Sequence, residues 1–139
     1  DNENYKGYQA DITKDELPEI DSIDSLVYCP GSITLKPFLQ LKEEDFKNDF
    51  DVNVLGAVRS IQKYLNVLKK GSNPSIVLFS TVAVTKGMAF HASISSAKAA
   101  IEGITNNSNA DNLSFLIIFN NTINRKSIFF YFFYELFFF

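Results

Sequence analysis

Cysteine and histidine are nearly absent from this sequence, one of each (Cys29 and His91) in 139 residues. A lone cysteine closes no internal disulfide and builds no thiolate cluster. A lone histidine argues against a His-rich zinc or iron centre. Excess charge is missing too. The formal net charge is −3, which gives no reason to expect a nucleic-acid partner. No basic start followed by an apolar stretch and a cleavage site opens the chain, so no secretory signal is expected. These absences leave a reducing, cytoplasmic compartment as the expectation. Proline stops at Pro74, and after Glu102 only Asp111, Arg125, Lys126 and Glu135 carry charge. Nine of the 14 phenylalanines follow Leu113. The chain therefore divides near Thr105 into two unlike pieces, residues 1–105 and an Asn/Phe-rich tail, residues 106–139.

In the first piece, apolar runs alternate with helical periodicity. Tyr8-Gln-Ala, running into Asp11 to Lys14, predicts a short strand and a polar turn. Residues 25–29 (Ser-Leu-Val-Tyr-Cys) form an apolar run stopped by Pro30-Gly31, which predicts a strand buried on both faces, with Cys29 a small core residue. Over residues 43–69, Phe46, Phe50, Val54, Leu55, Val58, Ile61, Leu65 and Leu68 recur at three and four, an amphipathic helix. Glu43, Glu44 and Asp45 in its first turn and Lys69 and Lys70 in its last complement the helix dipole, and Gly71 supplies the stop. Residues 75–80 (Ser-Ile-Val-Leu-Phe-Ser) predict a second buried strand. Residues 91–104 are small and helix-compatible, and His91 reads as a helix-start or surface residue. Strands alternating with helices predict an α/β fold with a parallel sheet and right-handed crossovers.

These segments, in this order, resemble the short-chain dehydrogenase/reductase family from about Tyr8 to Thr105. Residues 51–56 (Asp-Val-Asn-Val-Leu-Gly) match the segment carrying that family's catalytic asparagine, here Asn53. Residues 76–83 look like the strand ending in the catalytic serine, here Thr81 with Ser80 beside it. Residues 96–100 (Ser-Ala-Lys-Ala-Ala) resemble the end of the Tyr-x-x-x-Lys motif and make Lys98 its lysine. Ala10-Asp11-Ile12-Thr13 resembles the third strand, whose acidic residue contacts adenine. Gly31 is what survives of the Asn-Asn-Ala-Gly turn. The resemblance implies a Rossmann-like parallel sheet with flanking helices and a cofactor, NAD or NADP, touched by Asp11, Gly31 and Lys98. It also implies hydride transfer on a small alcohol or carbonyl compound, and a homo-oligomer formed through the helices at 43–69 and 91–104.

The chemistry of the motif needs a proton donor. A phenol with a pKa of about 10 becomes useful near neutrality when a lysine ammonium stabilises its anion, and a separation of four puts both on one helical face. Four residues before Lys98 stands Ile94, which transfers no proton. The tyrosine-dependent reaction is therefore expected not to run. The six glycines are scattered and form no phosphate-binding loop. The first βαβ segment and the C-terminal strands are expected to be missing, so the chain reads as a partial, impaired or inactive oxidoreductase. The alternatives are a non-catalytic binding or scaffold module and a pseudogene product. The tail is expected to be frame-shifted or disordered. Residues 128–139 are too short for a membrane span, and no membrane partner is expected.

Overall fold

The structure, a computed structural model, describes residues 6–108 and 114–120. Three strands, β1 (Ser25–Tyr28), β2 (Ser75–Thr81) and β3 (Ser114–Asn120), lie in the order β1-β2-β3, all parallel. Leu26 pairs with Ile76 and Val77 with Leu116, so β2 is the central strand. Its residues Ile76, Val77 and Leu78 are at most 3% exposed, as a strand flanked by neighbours and covered by helices requires. The crossover from β1 to β2 is one long helical arm: α1 (Glu43–Phe50), a π-helical stretch (Asp51–Leu55) and α2 (Gly56–Leu68). The second crossover contains a single turn, α3 (Ala83–Lys86), and α4 (Ala92–Ser108). This is the Rossmann-like α/β architecture expected from the alternation of elements. Among the described residues, no helix is long and apolar enough to cross a membrane.

The π-helical stretch has a visible cause. In α-helical register the Gly56 N–H would reach the carbonyl of Val52; it bonds instead to Asp51 O. The Val52 carbonyl accepts the hydroxyl of Tyr28, at 2.5 Å, from the end of β1. That hydroxyl occupies the space beside Gly56, where a Cβ would lie only 2.2 Å from the Tyr28 oxygen. Glycine is therefore the residue that lets β1 and the arm interlock. Burial pushes the Tyr28 phenol up to about 12, so it stays a donor at any physiological pH.

The buried face of the arm lies one residue off the predicted stripe. Of the predicted stripe, Val54 and Leu68 are buried, but Phe50 and Leu55 are 37% and 45% exposed. The face against the sheet is instead Asp49, Asn53, Ala57, Ser60, Tyr64 and Leu68, mostly small or polar residues that hydropathy does not mark. α4 uses small residues as expected: Ser93 and Ala97 are fully buried, and the Ser93 hydroxyl donates to Asp45 O in α1.

Three local expectations are corrected. Residues 8–10 form no strand, while the polar turn expected at Asp11 to Lys14 does form: the Asp11 carboxylate takes the Thr13 N–H and its carbonyl takes those of Lys14 and Asp15. β1 is not buried on both faces: it has a neighbour on one side only among the described residues, and Val27 is 38% exposed. Cys29, just beyond its end, is exposed and not in the core. Beyond these, α4 runs through Thr105 to Ser108, and Ser114–Asn120 forms β3 alongside β2. The expectations for residues 128–139 lie outside the described residues.

Candidate active site

Parallel strands ending side by side leave a crevice at their carboxyl ends, where ligands of open α/β sheets bind. Here the chain leaving β1 supplies Gly31, Ser32 and Ile33, β2 ends in Thr81, the π-helical stretch supplies Asn53, and the first turns of α4 supply His91, Ile94 and Lys98. These eight residues line one cleft of about 200 Å³. That is room for roughly six or seven water volumes, enough for a reacting group but not for a whole dinucleotide. Among the described residues no three metal-ligating side chains gather anywhere.

Asn53 is 1% exposed. Its amide nitrogen donates to the Ser32 carbonyl and hydroxyl and to Asp49 O, at 2.8 to 3.2 Å. Its Oδ1 is buried without a hydrogen-bond partner among the described residues, which costs about 1–3 kcal/mol while it stays unsatisfied. That oxygen borders Gly31, where a Cβ would lie 3.1 Å away. Asp49, fully buried, accepts the Ser32 hydroxyl and the Thr34 N–H and so holds the cleft's first loop to the arm.

Thr81 and Ser80 point to opposite faces of β2, as adjacent strand residues must. Thr81 lines the cleft, and its hydroxyl also accepts the Ala83 N–H at 3.3 Å. Ser80 is buried on the other side and donates to the carboxylate of Glu102. Asp11 is not among the lining residues; its exposed carboxylate pairs with Lys14 and caps the turn, which holds it down to about 2. Ile94, 5% exposed, forms the cleft wall one turn before Lys98. His91, expected at a helix start or on the surface, lines the cleft. A single histidine among small residues carries no periodic signal; its placement depends on the turn before α4.

Burial pushes the Lys98 ammonium below its ordinary value, with the nearby Cys29 thiol opposing. No carboxylate pairs with Lys98 among the described residues. A lysine whose pKa is lowered by folding binds its proton more tightly when unfolded. Folding is therefore penalised at neutral pH, and the penalty fades as pH rises from the folded value to 10.5. Lys98→Met should accordingly raise stability near pH 7 and lose that advantage by about pH 10.5. Urea unfolding of both proteins across that range checks it; the raised tyrosines Tyr28 and Tyr64 cancel, being common to both.

Known proteins resemble this chain in fold and in sequence. The fold resembles a short-chain dehydrogenase from Streptomyces avermitilis, with TM-score 0.60 and 23% identity over 69% of this chain and 37% of that one. It also resembles an alcohol dehydrogenase from the archaeon Thermococcus sibiricus complexed with 5-hydroxy-NADP, with TM-score 0.66 and 20% identity over 72% and 43%. The chain thus spans about two-fifths of the length of these solved structures. No curated protein matches it. At the level of sequence, the short chain dehydrogenase family matches residues 6–122, from the turn at Asp11 through β3. With the helical arm, β2 and α4 all inside that span, and their residues meeting in one cleft, the chain belongs to the short chain dehydrogenase family.

Proposed function

We propose that the protein carries an NAD(P)-dependent oxidoreductase site for the alcohol–carbonyl interconversion, with its usual proton route closed. The observation that supports this reading is the meeting of Gly31, Asn53, Thr81 and Lys98 around one cleft, with Ile94 in the same wall. The cleft fits the nicotinamide end of a dinucleotide. Asn53 Oδ1 lacks a partner there, and Gly31 leaves open the space a side chain would take. When bound, the nicotinamide supplies or accepts a hydride. Lys98 would hold the adjoining ribose, Gly31 would let the backbone approach it closely, and the exposed Asp11 would face the adenine end. Thr81 would donate its hydroxyl to the substrate oxygen, with Ser80 on the far face leaving that role to its neighbour. The substrate is a small alcohol or carbonyl compound. Phe50 and Leu55, exposed on the helical arm, support a second copy packing there.

Ile94 favours a second reading, a cofactor-binding module without turnover, since a buried aliphatic group neither gives nor takes a proton. Two measurements on the full chain separate the readings: binding of NADH and NADPH by nicotinamide fluorescence, and turnover with a panel of alcohols and ketones. Binding with slow turnover is the expected result. Binding with none supports the module, and failure to bind either nucleotide overturns both.

A further inference from the structure

We propose that His91 is the proton donor and acceptor of this site, acting where the aliphatic Ile94 leaves no acid; this rests on the oxidoreductase reading above. His91 shares the cleft wall with Thr81, Ile94 and Lys98. It stands immediately before α4, three residues ahead of Ile94. Its orientation is built in. The ring Nδ1 lies 2.6 Å from Ala89 O, and a carbonyl only accepts, so Nδ1 carries the proton of that bond. Nε2 is therefore the nitrogen left for the cleft.

The backbone that presents the ring is strained. Phe90, immediately before it, has φ +67°, the single non-glycine residue with positive φ among those described. That conformation costs a bulky residue on the order of 1–2 kcal/mol. It is held from both sides: the Phe90 carbonyl accepts the Lys36 N–H, and the His91 N–H reaches Met88 O. A surface histidine has no need of such a turn. Backbone strain kept in place beside a cleft is what a positioned functional group calls for.

The reaction balances with a nicotinamide as the co-reactant. In reduction, the substrate's carbonyl carbon takes a hydride with its electron pair from the reduced nicotinamide. The C=O π pair moves onto oxygen, and that oxygen takes the proton from Nε2 of the imidazolium. Alcohol, neutral imidazole and oxidised nicotinamide result; oxidation runs the same steps backward. The charged groups near His91 are Lys98, which lines the same cleft, and the Lys36–Asp45 pair, tied to the turn by the Lys36 N–H on Phe90 O. None of them pairs with the imidazole.

The test uses the full chain. NADH and NADPH binding is measured first; if neither binds, the oxidoreductase reading falls and the His91 role with it. Given binding, carbethoxylation of His91 by diethyl pyrocarbonate is followed by the mass of its peptide, with and without the nucleotide and a ketone substrate. Protection by the pair is expected, and unchanged labelling overturns the role without touching the oxidoreductase reading. His91→Gln should lower kcat by about 10²-fold or more at unchanged nucleotide affinity. A His91→Gln variant that binds nucleotide and keeps the rate would overturn the role.

Discussion

Ile94→Tyr should raise ketone reductase turnover about 10²-fold. The variant places a phenol in the cleft wall, four residues before Lys98 and therefore on its face of α4. The cleft of about 200 Å³ offers room for the hydroxyl. The Lys98 ammonium, with no carboxylate to hold it, would favour the phenolate and bring the phenol toward the working range. Restoring a general acid is worth about 10²–10⁴-fold, or roughly 3–5 kcal/mol of barrier. The lower end is expected because His91 already moves the proton. Two comparisons make the result diagnostic: the gain should survive His91→Gln and vanish largely with Lys98→Met. An Ile94→Tyr protein that binds nucleotide but turns over no faster would mean that this wall does not face the substrate.

That expectation could be framed from the sequence because the Ser-Ala-Lys-Ala-Ala run fixes Lys98 and the spacing fixes Ile94. The helical arm, β2 and α4 were equally legible, since each is long or strongly apolar. What stayed hidden depends on contacts distant in sequence. The π-helical stretch carries no proline or other breaker; it exists because Tyr28, 24 residues earlier, reaches the Val52 carbonyl. The buried face of the arm lies one residue off the hydropathy stripe on both sides of that stretch, because Asp49 and Ser60 are buried through contacts that hydropathy does not mark. β3 was obscured by composition, because its run of apolar residues between asparagines looks like the Phe-rich stretch that follows. His91 was obscured by rarity. A positive φ at Phe90 leaves no mark in a residue type that usually avoids it.

Gly56→Ala should destabilise the protein by about 1–3 kcal/mol, against the sign that helix propensity predicts. In an ordinary helix interior the change would add about 1 kcal/mol of stability. Here the new methyl would lie 2.2 Å from the Tyr28 hydroxyl and 3.2 Å from Ile12 Cγ1. The tyrosine cannot swing aside cheaply: it is 5% exposed and its hydroxyl is committed to Val52 O. Relief requires either pushing β1 away from the arm or giving up that bond, worth about 1 kcal/mol net. A double-mutant cycle resolves which. Tyr28→Phe alone should cost about 1 kcal/mol, yet in its background Gly56→Ala should cost much less, because the nearest tyrosine atom is then Cζ at 3.3 Å. The coupling is read from urea denaturation of the four proteins. Additive costs, or a Gly56→Ala protein more stable than its parent, would show that the hydroxyl does not hold the π register. The same cycle reaches the site, because Asn53 sits inside that register. Gly56→Ala should weaken nucleotide binding, and Tyr28→Phe should restore part of what it loses, through a residue that touches neither ligand.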